Sequence, residues 1–326
     1  MSARTEALRH SLEQPTVSIV VPVFDEAANL APLCAQVLEA LAGESLELIF
    51  VNDGSRDDSL DVLRALAAEH REVVVVDLVR NFGQHPAIVA GFSIARGSHV
   101  ITLDADLQNP PTEIPRLLAE LRSGHDLVGS VRVQRSDGWL RRSASSAVNQ
   151  LTTASLGVGM RDYGCMLRGY SARVAREIVE LAEQSVFIPA LAMMIAADPT
   201  EIEVQHDARS NGRSRYSVLR LLRLGFDLVT GFSLLPIQLV SLSGIAVSAA
   251  GLGLAGLLFV RRLLVGPESE GVFTLFAILF FFLGVLLFAV GLVGEYVGRI
   301  YAEVRRRPIY RIREIVGQTA ALRSLR

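Results

Sequence analysis

Short apolar runs alternate with segments of helical periodicity over the first 130 residues. Val17-Ser18-Ile19-Val20-Val21-Pro22-Val23, Leu46–Val51, Val73–Leu78 and Val100–Leu103 are brief and β-branched, and each reads as a buried strand. Asn29–Leu41, Asp57–His70 and Pro86–Arg96 place apolar residues at the 3.6-residue period of a helix, with Ser55 the predicted cap of the second. A further strand is predicted at Asp126–Ser130, and helices at Ser143–Leu156 and Ala172–Leu181. Strands alternating with helices of this length predict a mostly parallel sheet covered on both faces. Such sheets bind ligands at the carboxyl ends of their strands. Glu26, Asp53, Gln84 and the group Asp104–Gln108 all fall just past predicted strand ends.

Beyond Arg209 the pattern changes. Ser217–Thr230 sets Leu and Phe on one face and Arg220 and Arg223 on the other, the profile of a helix lying in a membrane interface. No charged residue occurs from Leu228 to Val260 or from Gly271 to Gly294. About 20 apolar residues cross a bilayer, so two transmembrane helices are predicted. Arg209, Arg213, Arg215, Arg220 and Arg223 precede the first run, and Arg299, Arg305, Arg306, Arg307, Arg311 and Arg313 follow the second. The intervening loop balances Arg261 and Arg262 with Glu268 and Glu270. The excess of arginine on the flanks predicts that both chain ends are cytoplasmic and the loop periplasmic. The predicted organisation is a polar tail (1–15), a catalytic α/β domain (16–206), an arginine-rich loop with the interfacial helix (207–235), a span (236–260), a periplasmic loop (261–271), a second span (272–294) and a basic cytoplasmic segment (295–326).

Composition agrees with a membrane-bound enzyme. The 326 residues are 50% hydrophobic with a mean hydropathy of +0.37, too apolar for an ordinary soluble enzyme. The net charge of −2 conceals an asymmetry: residues 1–200 carry 17 Arg against 25 acids, residues 201–326 carry 15 Arg against 9. An acidic first part joined to a basic, apolar second part fits a folded domain tied to an anionic membrane surface, and nucleic acid is not an expected partner. Cys34 and Cys165 have no metal-ligand spacing, which fits a reducing compartment. The first fifteen residues lack a signal-peptide core.

The densest candidate chemistry is Ile101-Thr102-Leu103-Asp104-Ala105-Asp106-Leu107-Gln108-Asn109-Pro110-Pro111. On an extended backbone Asp104 and Asp106 share a face and Gln108 continues the alternation, while the two prolines delay any helix until Thr112. Two carboxylates and an amide oxygen make a hard-oxygen set suited to Mg²⁺ or Mn²⁺ bound together with substrate phosphates. A plain polar turn would explain the same residues. Asp53 could likewise cap the next helix, and Arg132 and Arg135 are either solvated loop charges or phosphate contacts. Arg209, Arg213 and Arg215 serve either as a topology signal or as a clamp for a lipid phosphate.

With these residues the chain resembles a family-2 glycosyltransferase of the polyprenyl-phosphate type. The likeness runs from about Val17 to Arg313. It rests on Pro22-Val23-Phe24-Asp25-Glu26, Asn52-Asp53-Gly54-Ser55, Asn81-Phe82-Gly83-Gln84-His85, the Asp104–Pro111 run, Asp162-Tyr163-Gly164-Cys165-Met166-Leu167-Arg168 and Gly294-Glu295-Tyr296-Val297-Gly298-Arg299-Ile300-Tyr301. The third and fifth of these point, within that family, to the transferases of 4-deoxy-4-formamido-L-arabinose. The resemblance implies a Rossmann-like GT-A domain that moves a sugar from a nucleotide donor, UDP-linked or GDP-linked, to undecaprenyl or another polyprenyl phosphate with inversion. The product would serve cell-envelope glycan or lipid A modification. It further implies that Asp53 reads the base beside Pro22, Phe24 and Glu26, with Gln84 and Asp104 also at the donor. Asp104, Asp106 and Gln108 would hold the metal, Asp106 and Asp162 would be catalytic, and Arg168 would join the other arginines named above at phosphate. It implies a bacterial inner-membrane protein and a homo-oligomer, a tetramer. The family often has Asp-Asp-Gly where Asn52-Asp53-Gly54 stands, and Lys where Arg215 stands; Arg keeps the charge and adds bidentate contacts.

A polyprenyl-phosphate glucose or mannose synthase is the alternative within the same class. A processive synthase is disfavoured, because the sole Trp139 lacks the Gln-x-x-Arg-Trp context and two spans are few for a polymer channel. A non-catalytic nucleotide-binding scaffold would have no need of Asp104, Asp106 and Gln108.

Overall fold

Four parallel strands form the centre of one eight-stranded sheet. In this computed structural model, which describes residues 15–132, 165–182, 187–205, 235–266, 272–304 and 308–317, β1 (Val17–Val23) lies between β2 (Leu46–Asn52) and β4 (His99–Thr102), and β3 (Val73–Leu78) lies beyond β2. The order β3-β2-β1-β4 is that of a doubly wound sheet, whose switch point is the crevice between β1 and β4. Beyond β4 the sheet continues through β6 (Arg168–Ser171), β5 (Leu127–Arg132) and β7 (Pro199–Val204), with β6 antiparallel to both its neighbours. At the other edge β8 (Ile312–Val316) pairs antiparallel with β3.

The valine runs follow from covering both faces. In β3, Val73 and Val75 enter one core, while Val74 and Val76 enter the other. α1 (Ala27–Ala40), α2 (Ser59–Glu69) and α4 (Ile114–Arg122) bury Leu30, Leu63 and Leu117 against the first face. α3 (Gln84–Ile94), α5 (Ala172–Leu181) and α6 (Ile188–Ile195) bury Ile88, Val174 and Ala192 against the second. α3 sits close to the sheet because of Gly91, where a Cβ would stand 2.3 Å from Val20 Cγ1.

The predicted strands are found within a residue or two of their expected bounds, but the second helix begins differently. α2 starts at Ser59, and Ser55 does not cap it. Asp57 Oδ1 accepts from the Ser59 N–H at 3.0 Å, while the Ser55 hydroxyl is drawn to the β1 loop, accepting from the Asp25 N–H at 3.1 Å. β8 was expected to be part of a basic tail and is instead part of the sheet. The predicted helices at 143–156 and 217–230, and Trp139, lie outside the described residues.

The chain divides into two units, Met1–Ser217 with Pro308–Arg326, and Val218–Arg307. The second holds α7 (Leu235–Val265) and α8 (Val272–Val304). α7 runs on through Arg261 and Arg262 to Gly266, whose φ of 98° suits the left-handed end of a helix, so the loop starts later than predicted. α8 likewise continues past Gly294. Within it Ile278–Gly298, 21 residues and only 6% buried, is long and apolar enough to cross a membrane, and α7 carries a shorter apolar run, Ile237–Gly251. Leu242, Leu257, Phe280 and Phe288 are all more than half exposed, an arrangement suited to lipid.

Candidate active site

The carboxyl ends of β1, β2 and β4 and the loop after β3 converge. Asp53 follows β2 directly, and its N–H donates to Val23 O at 2.8 Å. Its carboxylate accepts from the N–H groups of Phe82, at 2.7 Å, and Gly83, at 2.8 Å. Gly54 allows this interlock: at φ +66° a Cβ would lie 2.6 Å from the Arg80 carbonyl carbon and the Asn81 nitrogen. Asp53 is 3% exposed, and burial pushes its carboxyl up to about 6 against the pull of those two N–H groups. Beside it, Phe24 is 40% exposed at the end of β1 and Pro22 is half-buried within that strand. Glu26 accepts from Asn29 Nδ2 at 2.5 Å, and its own N–H donates to Ser59 Oγ at 3.0 Å. Asp25 has a φ of 55°, unusual for a residue with a Cβ, and accepts from the Arg56 N–H at 2.7 Å.

The Arg80–Gly83 loop leads into α3, and from its first residue Gln84 Nε2 donates to Asp104 Oδ1 at 2.7 Å. Asp53, Gln84 and Asp104 are therefore joined across the switch point. Past β4 the backbone is not extended as expected. It turns, Leu107 takes a φ of 59°, and Asp106 Oδ1 accepts from the Gln108 N–H at 3.2 Å. Ala105 is buried, while Asp104 and Asp106 are half-buried on either side of it. Among the described residues no three His, Cys, Asp or Glu side chains converge. A divalent ion here would take its protein ligands from two carboxylates and the Gln108 amide, leaving positions for phosphate and water, which fits Mg²⁺ or Mn²⁺.

The stretch after Asp162 supports this turn from beneath. Cys165 Sγ donates to Asn109 Oδ1 at 3.8 Å, Thr102 Oγ1 to Met166 O at 2.5 Å, and Ser130 Oγ to Leu167 O at 2.5 Å. Arg168, expected at phosphate, is fully buried opposite Thr102, with Nε donating to Cys165 O at 2.7 Å. Its position on an inner strand, flanked by β4 and β5, accounts for that burial. Arg132 ends β5 half-buried. Asp162, Arg135, Arg209, Arg213 and Arg215 lie outside the described residues.

The sequence relatives agree from end to end. The chain is 45% identical over 314 residues, 95% of each chain, to an undecaprenyl-phosphate 4-deoxy-4-formamido-L-arabinose transferase from Shewanella sediminis (strain HAW-EB3). It is 47% identical over 306 residues to one of the same name from Proteus mirabilis (strain HI4320), covering 92% of this chain and 94% of that one. Residues 18–179 match glycosyl transferase family 2. This chain is a family-2 glycosyltransferase. Among solved structures it is similar to glucosyl-3-phosphoglycerate synthase from Mycobacterium tuberculosis in complex with Mg²⁺ and UDP, at a TM-score of 0.51 and 20% identity, covering 69% of this chain and 80% of that one. A complex of the same synthase with Mn²⁺, UDP and phosphoglyceric acid gives the same TM-score, identity and coverage. At that identity the likeness establishes the fold, a GT-A-like sheet.

Two features of this glycosyltransferase go beyond its sequence motifs. Asn52 and Asp77 form a buried polar pair next to Asp53, capped from the surface by the exposed Arg313; the lone carboxylate after the four valines of β3 is the sequence signal for it. His85, next to Gln84, stands edge-on to Phe187 at 5.3 Å between centroids. Its Nδ1 is buried without a hydrogen-bond partner, and burial, with the Arg168 charge nearby, pushes its pKa down to about 4. Burial thus holds the imidazole neutral at pH 7. Its folded pKa lies below the unfolded value, so the stability it contributes is present above about pH 6.5 and is lost as pH falls toward 4. From pH 7 to 5 this loss is expected to be on the order of 1–2 kcal/mol. The melting temperature of the wild type should therefore fall a few degrees more than that of His85→Gln. Equal falls would show that His85 is not held neutral. Asp53 acts in the opposite direction over this range but is common to both proteins.

Proposed function

We propose that the chain transfers 4-deoxy-4-formamido-L-arabinose from a UDP-linked donor to undecaprenyl phosphate, inverting the anomeric carbon. The observation that carries this reading is the 45% identity, spanning 95% of both chains and so both structural units, to a transferase of that name. In this reading the residues of the site divide the work. Asp53 reads the base, and Phe24, Pro22 and Glu26 line the nucleoside pocket. Asp104, Asp106 and Gln108 would hold Mg²⁺ or Mn²⁺, which would offset the charge developing on the departing UDP. Gln84 orients Asp104 through their 2.7 Å hydrogen bond.

Arg132 and Arg135 are assigned to phosphate, and Arg209, Arg213 and Arg215 to the lipid phosphate. Asp162 lies three positions before Cys165, the residue that contacts Asn109 of the metal turn. The second pKa of a phosphate monoester is about 6, so the attacking oxygen is already mostly ionised at neutral pH and Asp162 serves to orient it. The enzyme reading is tested by UDP release. Donor, Mn²⁺ and protein should release UDP only when undecaprenyl phosphate is added, and a scaffold would release none with any combination.

Both α7 and α8 cross the membrane in this account, with the catalytic unit and both chain ends on the cytoplasmic side of the bacterial inner membrane. β8 supports this. The chain leaves the catalytic unit near Ser217 and rejoins the same sheet after Pro308, which requires an even number of crossings. Cys34 and Cys165 are buried, so an introduced thiol can be read over a low background. Glu268→Cys should react with an impermeant thiol reagent in intact cells, and Ser324→Cys should not. The reverse pattern would invert the topology.

A further inference from the structure

β8 reaches the donor side of the site through a buried charge. At its register shift against β3, Arg313 Nη1 donates to Asp77 Oδ2 at 2.8 Å and Nη2 to Val79 O at 2.9 Å. Asp77 has no exposed surface, and its other oxygen accepts from Asn52 Nδ2 at 2.7 Å. Asn52, 2% exposed, accepts at Oδ1 from the Ser55 N–H at 3.2 Å. Ser55 Oγ in turn accepts from the Asp25 N–H at 3.1 Å. A continuous series of hydrogen bonds thus runs from the strand that follows α8, through a buried carboxylate, to the turn that carries Asp53. It also gives a reason for Asn at position 52. An acid there would set two buried carboxylates against each other, whereas the amide donates to Asp77 with one end and accepts from Ser55 with the other.

We propose that Arg313 and Asp77 are positioning residues of the donor site, so that nucleotide binding depends on β8 docking where the chain returns from the helical unit. Neither residue touches substrate. A buried carboxylate needs its countercharge, and Arg313 supplies it in a forked contact shared with Val79 O. With Arg313 lost, Asp77 is left with Asn52 alone among these bonds, and the Asn52–Ser55 turn loses its fixed anchor. β8 has a second tether, the Arg64–Glu314 ion pair, in which both side chains are exposed, whereas Arg313, itself 54% exposed, meets a carboxylate with no exposed surface; the second tether leads to α2 and has no bond to Asn52 or Asp77. That difference provides the control.

The proposal rests on Asp53 serving the nucleotide, and the experiment separates the two. The full-length protein in detergent is titrated calorimetrically with UDP in the presence of Mn²⁺, and binding of undecaprenyl phosphate is followed by native mass spectrometry. Arg313→Gln should weaken UDP binding about tenfold, equal to the loss of one charge-assisted hydrogen bond worth about 1.4 kcal/mol, and leave lipid binding within twofold. Arg313→Lys should recover part of the loss by restoring the countercharge. Asp77→Asn combined with Arg313→Gln should be no worse than the poorer single variant, since both cut one series of contacts. Arg64→Gln should lower the melting temperature without weakening UDP. Equal weakening of UDP and lipid, additive single effects, or loss of melting temperature with unchanged UDP affinity would each overturn the proposal. If Arg313→Gln does not fold, Arg313→Lys carries the test: a UDP affinity equal to wild type with lost thermal stability would overturn it. If Asp53→Ala itself leaves UDP binding unchanged, the donor-pocket reading has failed. If Asp53→Ala weakens UDP and the Arg313 variants do not, only the positioning proposal has failed.

Discussion

Replacing Asp106 by Asn is expected to lower kcat by roughly 10³-fold, because charge stabilisation of a departing diphosphate is worth several kcal/mol and each 1.36 kcal/mol is tenfold. The substitution keeps the size of the side chain and an oxygen to accept from the Gln108 N–H, so the turn should persist. It removes one of the two charges that Ala105 separates. Unchanged circular dichroism with a lost paramagnetic signal of bound Mn²⁺ would assign the defect to the ion and not to folding. Asp104→Asn should behave similarly, with an added loss because Gln84 then donates to a neutral oxygen. Full activity of the wild type in excess chelator would contradict this account of the acids.

Asp53→Ala is expected to cost about 10²-fold in kcat/KM for the donor. Two N–H groups, of Phe82 and Gly83, lose their acceptor, and each buried donor left unsatisfied costs about 1–3 kcal/mol. The effect should not be confined to binding. The same loop carries Gln84 to Asp104, so loosening it disturbs both halves of the site, and kcat should fall together with a rise in KM. Asp53→Asn should be milder, since its one oxygen satisfies one donor while its NH₂ opposes the other. A variant with raised KM and full kcat would show that Asp53 serves only the base.

The parallel core was legible because Val73–Val76 and its counterparts cannot be half-exposed strands: with no polar position in the run, both faces must be covered. The site was legible for a related reason, since Asp53, Gln84 and Asp104 stand just past apolar runs and a doubly wound sheet gathers those ends together. The turn at Asp104–Gln108 was misread as extended because its left-handed residue is Leu107, and no glycine marks it. β8 was missed because Ile312-Arg313-Glu314-Ile315-Val316 looks polar in isolation. Its charges are satisfied by Asp77 and Arg64, partners some 236 and 250 residues away that no local pattern reveals. Local spacing favours Ser55 as a cap, whereas its partner is the Asp25 N–H on another strand's loop. Long-range polar pairing, not hydrophobic pattern, was the part hidden from the sequence.

Which sugar reaches which lipid decides the function. The direct measurement is mass spectrometry of the lipid extracted after the purified protein has been given Mn²⁺, undecaprenyl phosphate and an equimolar mixture of UDP-4-deoxy-4-formamido-L-arabinose, UDP-glucose and GDP-mannose. One product is expected, undecaprenyl phosphate carrying a single 4-deoxy-4-formamido-L-arabinose. A hexosyl lipid in its place, or no glycosylated lipid at all from an Mn²⁺-loaded protein, would contradict it.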